Sequence, residues 1–159
     1  MMEPIQKPLE RLIQQRVPFR SPKARVEVGL LYLASVMQSD MNRYFKPFGI
    51  TPQQYNVLRI LRGQHPKPSS INLIRERMLD KMCDASRIVE RLIKNGMVVK
   101  KVNPRDKRIA DIFITDNALQ LLAEVDIQFY EKESVAYVLN EHDTTMLNDL
   151  IDKMLATRL

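Results

Sequence analysis

The sequence predicts a mainly α chain with one small β-hairpin, and three observations carry that prediction. Apolar residues recur at helical spacing near the start, as Val26, Leu30, Leu33, Met37, Met41 and Tyr44, and near the end, as Leu147, Leu150, Ile151 and Met154. Between these stretches, two short helical segments meet at the tight turn Leu79-Asp80-Lys81. Two β-prone segments follow at once, MVVKKV (97–102) and IADIFIT (109–115), separated by the six turn-forming and charged residues NPRDKR. A chain of 159 residues is the size of one domain, or of one domain with a dimerisation element.

Taken in order, residues 1–22 hold Pro4, Pro8, Pro18 and Pro22 and read as an arm with one short helix over Leu9–Arg16. A long helix is predicted from Lys23 to Lys46, ended by Pro47 and Gly49. Leu31, Ala34 and Val36 widen its apolar face, so it needs more than one neighbour. The next helix opens with Thr51 as N-cap, Pro52 at the first helical position and Gln54 three residues after the cap. Gly63 and the loop HPKPSS end it. Ser70 caps a short helix, INLIRERML, with Ile71, Ile74 and Met78 turned inward, and a fourth helix is predicted from Met82 to Asn95, closed by Gly96.

Two short helices joined by a tight turn describe a helix-turn-helix. On the fourth helix, Ala85, Ile88, Val89 and Leu92 fall on one side, while Cys83, Ser86, Arg87, Glu90 and Lys94 fall on the other. Any amphipathic helix has a polar outer face. This one begins with small or polar residues and a cation near its N-terminus, where a recognition helix meets base edges and phosphates. The hairpin directly after it is a wing, with Ala110, Ile112 and Ile114 on one face and Asp111 and Phe113 on the other. Arg105, Lys107 and Arg108 at its tip are placed to reach a minor groove or a backbone phosphate.

Charge is distributed to match. Residues 1–50 carry eight Lys/Arg against four Asp/Glu, residues 51–110 fourteen against five, and residues 111–159 three against ten. A basic block of this kind suits a polyanion and also fits an ordinary solvated face. The single cysteine, Cys83, excludes an intramolecular disulfide, and the absence of a signal-like or membrane-length apolar run points to a cytoplasmic protein with no membrane partner. Catalysis finds no support: the two histidines, His65 and His142, stand apart, and HxxxH, CxxC and Gly-rich phosphate loops are missing. No metal or cofactor is expected. Cys83, near a helix N-terminus in a cationic setting, is expected to be an acidified thiol and a candidate redox sensor, although a small spacer facing DNA explains it as well.

At SRIVERLIKNGMV (86–98) and RDKRIADIFIT (105–115), with Asp106-Lys107-Arg108 as an Asp-x-Arg wing signature, the chain resembles the MarR (multiple antibiotic resistance regulator) winged-helix transcription factors. The order of elements agrees over about residues 25–157. The resemblance implies a homodimer with interlocked terminal helices, whose recognition helices dock in successive major grooves of a pseudo-palindromic double-stranded DNA operator. The stripe Ala118, Leu121, Leu122, Val125, Phe129, Ala136 and Leu139, with the one at 147–154, offers apolar surface for such an interface.

The same resemblance assigns DNA contacts to Lys81, Asp84, Ala85, Ser86 and Arg87 at the start of the recognition helix, and to Arg105, Lys107 and Arg108 in the wing. Ser69 and Ser70 open the preceding helix, whose N–H groups suit a phosphate. Asp106 cannot favour DNA directly, so its expected role is to hold a wing arginine. Met37, Met41, Tyr44, Phe45 and Tyr55 either line a small-molecule effector cleft or form plain core. The expected organisation is an arm (1–22), a dimerisation helix (23–50), a winged helix-turn-helix lobe (51–115) and C-terminal dimerisation helices (116–159). The expected function is a sequence-specific DNA-binding regulator, a repressor released by a small-molecule or redox signal. The alternative is a winged-helix module that binds another protein.

Overall fold

The computed structural model describes residues 7–104, 106–128 and 135–158; Arg105 and Phe129 lie outside them. The chain divides into two compact units, Met1–Asp40 and Met41–Leu159.

In the first unit, α1 (Pro8–Leu12) is shorter than the predicted Leu9–Arg16. The chain leaves the helix through Gln14, which takes the left-handed conformation at φ 53°. The arm is fixed to α2 (Pro22–Phe45) by Glu10, whose carboxylate accepts from Arg25 Nε at 2.7 Å and from Nη2 at 3.3 Å. Along α2, Val26, Leu30, Leu31, Leu33 and Met37 are exposed.

The second unit begins with the last turn of α2. Phe45 is fully buried and stacks on Tyr55 with ring centroids 4.4 Å apart. Gly49, at φ 68°, turns the chain into α3 (Pro52–Arg62). The capping box is complete: Thr51 Oγ1 accepts from the Gln54 amide at 3.2 Å, and Gln54 Oε1 accepts from the Thr51 amide at 2.8 Å. α3 buries Tyr55, Val57, Leu58 and Leu61 against α5 (Ala85–Lys94) and α6 (Asp116–Gln128), making it the central beam of the unit. α4 (Ile71–Arg77) is capped by Ser70, whose Oγ accepts from the Leu73 amide at 3.1 Å, and it contributes the buried Ile74.

α5 starts at Ala85, not at Met82, because Asp84 takes the N-cap and accepts from the Arg87 amide at 3.2 Å. Gly96, at φ 69°, closes the helix end. β1 (Val98–Val102) and β2 (Ala110–Ile114) pair antiparallel from Val98↔Ile114 to Val102↔Ala110. Val98, Ile112 and Ile114 face the core. Ser69 adds a bridge on the outer side of β2, exchanging both backbone hydrogen bonds with Ile112 at 2.9 and 2.8 Å.

α6 buries Ala118, Leu122 and Val125. The stripe predicted to continue past it does not run on as one helix: Val135–Val138 is a 3-10 turn, with Ala136 exposed. α7 (Glu141–Leu155) is capped by Asn140, and every residue of it is exposed, including Leu147, Leu150, Ile151 and Met154.

Candidate nucleic-acid interface

The outward residues of α5 are set by what the helix buries. Ala85, Val89 and Leu92 pack into the core, with Ile88 and Ile93 half-buried at its margin. Arg87, Glu90, Arg91 and Lys94 are thereby turned to solvent, with Ser86 half-buried. Ala85 is 1 % exposed, so its expected DNA contact is corrected: the side chain serves the core. Asp84 is exposed, but its carboxylate is engaged in capping α5. Lys81 lies in the turn before the helix, where its ammonium donates to the Glu76 carbonyl at 2.5 Å and closes the end of α4.

Ser69 also departs from expectation. It is 2 % exposed and its amide already donates to Ile112, so it has no N–H to offer a phosphate. Its role is to tie the start of α4 to the wing. The Ser70 hydroxyl is occupied as the α4 cap.

Cys83 is half-buried, and its thiol donates to Asp80 Oδ2 at 2.9 Å. That hydrogen bond, followed by burial and the nearby carboxylate charge, pushes the thiol pKa up to about 11. The expectation of an acidified, reactive thiol is therefore reversed. A carboxylate three residues earlier outweighs the helix N-terminus, because it contacts the sulfur directly while the helix amides are turned to Asp84.

The wing tip is built from side-chain bonds to its own backbone. Asn103 Oδ1 accepts from the Asp106 amide at 3.0 Å, and Asn103 Nδ2 donates to Asp111 at 2.9 Å. Asp106 Oδ1 then accepts from the Arg108 amide at 2.9 Å and lies 3.5 Å from Arg108 Nε. Lys107 and Arg108 stay exposed. Along the stem, Lys101 places its ammonium 5.3 Å from the Phe113 ring centre. Arg105, the third expected wing cation, lies outside the described residues.

The residues named for an effector cleft separate. Met37 is exposed on α2 in the first unit; Met41 and Tyr44 are half-buried in the second, where Tyr44 packs edge-on to Phe45. Phe45 and Tyr55 are core side chains, so for these two the plain reading holds. A cavity of about 330 Å³ lies instead between the starts of α3 and α5, lined by Thr51, Gln53, Cys83, Ile88 and the guanidinium-bearing Arg87 and Arg91. Sequence reasoning missed Arg91, which falls between the two faces of a simple helical projection. It also missed Asn56, whose Oδ1 receives the Leu79 amide at 3.0 Å and braces the turn from α3.

A family model described as MarR family matches residues 48–109, the span from the entry of α3 to the wing tip. The chain is also similar to the HTH-type transcriptional regulator MhqR of Bacillus subtilis, at 22% identity over 115 residues covering 72% of this chain and 78% of that one. The likeness to the MarR family thus centres on the helix-turn-helix and the wing. Solved MarR-type structures share its fold. The MepR–DNA complex of S. aureus superposes with a TM-score of 0.72 at 19% identity, covering 80% of this chain and 94% of that one. BpsR of Bordetella bronchiseptica, whose DNA binding is described as regulated by 6-hydroxynicotinic acid, gives 0.67 at 20% identity over 82% and 98%. In the winged-helix fold shared with these structures, α4 and α5 are the helix-turn-helix and β1–β2 is the wing. No described helix is long and apolar enough to cross a membrane.

Proposed function

We propose that this chain is a MarR-type regulator: a dimeric, sequence-specific double-stranded DNA-binding transcriptional regulator that acts as a repressor and is released by a small molecule. The observation that carries the reading is the construction of α5 and the wing. The helix buries Ala85, Val89 and Leu92 and turns Arg87, Arg91 and Lys94 outward, and the hairpin that follows holds Arg108 at its tip through Asp106. A rigid helix with such an outer face suits the major groove, and a braced cationic hairpin suits the flanking backbone or minor groove. Ser86 and Arg87 are the base-proximal residues; Lys107 and Arg108, with Arg105, are the wing contacts. MepR, a structural neighbour, was crystallised with DNA, which supports the same use of the fold here.

Dimerisation is supported by apolar surface that the described residues leave exposed. Leu147, Leu150, Ile151 and Met154 follow one another at i, i+3, i+4 and i+7 on α7, and all are exposed. A second copy would bury them and set two α5 helices against one duplex.

The signal is a small anion with an apolar body. The cavity at the α3–α5 junction is lined by Arg87, Arg91, Cys83 and Ile88, with Asp84 beside them committed to capping α5, and a ligand there would engage the cations that otherwise meet DNA. BpsR, with its response to 6-hydroxynicotinic acid, offers a parallel. A redox signal through Cys83 is set aside because its thiol is held neutral. The test is enrichment of bound sequences from a random duplex pool, followed by titration of the enriched site at several salt concentrations. Recovery of a symmetric site bound in a salt-dependent way is expected. Failure to enrich any sequence, with equal binding to an acidic protein, would turn the reading toward a protein-binding module.

A further inference from the structure

The turn between α4 and α5 carries two large apolar side chains in an unusual state. Met82 is 94 % exposed, the highest value among the described large hydrophobics, and Leu79 is 83 % exposed. Neither is exposed through looseness of the turn. The Leu79 amide donates to Asn56 Oδ1 at 3.0 Å, the Met82 amide to Asp80 Oδ1 at 2.9 Å, and the Cys83 thiol to Asp80 Oδ2. Asp80 thus spends both oxygens on the turn itself, and Asp84 spends one on capping α5. The backbone is pinned while the two apolar side chains project into water.

Holding a methionine in water just ahead of a recognition helix costs apolar hydration that an ordinary polar residue would avoid. The surroundings identify the occupant. Lys81 directly precedes Met82, Arg87 follows five residues later on α5, both are exposed, and the 51–110 segment is strongly cationic, so charge complementarity favours a duplex over an apolar protein face. On a duplex, the apolar feature that a side chain meets in the major groove is the thymine C5-methyl group. Residues at the N-terminal end of a recognition helix are the ones that reach base edges.

We infer that Met82, with Leu79 three residues before it in the same pinned turn, is a specificity-determining contact that reads thymine methyl groups in the major groove. The inference rests on the DNA-binding reading above and adds to it a base preference and the residue responsible. Methionine suits the task because its unbranched thioether adapts to a small convex methyl.

The experiment uses the full chain and the duplex enriched from a random pool, with each thymine replaced singly by deoxyuridine, which removes only the C5-methyl. Native protein should bind about fourfold more weakly when one particular thymine in each half-site is replaced, the loss expected for one buried methyl. Met82→Ala, which folds normally because the side chain is exposed, should bind the thymine and deoxyuridine duplexes equally at that position and keep the native salt slope. Met82→Leu should restore most of the discrimination. If every deoxyuridine duplex binds native protein as the parent does, or if Met82→Ala retains the thymine preference, the inference is overturned while the regulator reading stands. If no duplex binds in a salt-dependent way, both fall together.

Discussion

Asp106 holds Arg108 at two points, accepting its backbone amide at 2.9 Å and standing 3.5 Å from its Nε. The arginine side chain is 93 % exposed and its partner's 42 %, so the pairing sets geometry more than stability. An acid at the tip of a cationic wing is thereby explained as a positioning residue.

Arg108→Ala and Asp106→Ala should therefore both weaken operator binding, although they remove charges of opposite sign. For Asp106→Ala the expected loss is about 1 kcal/mol, roughly fivefold, after allowing for solvent screening of an exposed pair. Lys107→Ala should instead lower the salt slope by about one unit with no change in sequence preference. Fluorescence anisotropy at several salt concentrations reads all three. Tighter binding by Asp106→Ala would show that the acid is only a repulsive surface charge.

Cys83 should be a poor nucleophile. With its pKa near 11 the thiol is almost wholly protonated at pH 8, and the thiolate fraction grows only as pH rises toward that value. Alkylation by iodoacetamide at pH 8 should run more than about tenfold slower than for a free thiol. Asp80→Asn, which removes the carboxylate, should accelerate it. Mild peroxide should leave operator binding equal in native protein and Cys83→Ser; loss confined to the native protein would restore the redox sensor.

The exposed stripe on α7 should be the surface that makes the molecule a dimer. Leu150→Glu together with Ile151→Glu removes exposed apolar surface from α7 while leaving the buried core of the chain intact. Sedimentation should give twice the chain mass for native protein and a folded, weakly binding monomer for the variant. A variant that remained dimeric would move the interface elsewhere.

Much of this was legible in the sequence because short-range chemistry decided it. Thr51 and Gln54 form the capping box their spacing announces, Ser70 and Gly96 cap where expected, and the alternation of β2 puts Ile112 and Ile114 inside. What escaped depends on contacts between elements or on competing local partners. Nothing near Ser69 in sequence shows that Ile112, far along the chain, claims its amide. The helix predicted from Met82 starts only at Ala85, because the Asp84 carboxylate takes the Arg87 amide and sets the N-cap there. Asp80 accepts from the Cys83 thiol and reverses the expected reactivity.

Phe45 tests the distinction between core and cleft. It is fully buried against Tyr55, so Phe45→Ala should cost about 3–5 kcal/mol and lower the melting temperature whether or not a small molecule is present. Thermal denaturation measures this. A variant of native stability that had lost its ligand response would return Phe45 to an effector site.

The central claim is that α5 and the wing form a surface that neutralises phosphates while reading bases. The measurement that meets it most directly is the salt dependence of binding to the enriched duplex, compared with a scrambled duplex of equal length. A steep linear fall of log K with log salt on both, with the enriched site at least about a thousandfold tighter at physiological salt, is the predicted result. Binding that is insensitive to salt, or equal on the two duplexes, would contradict it.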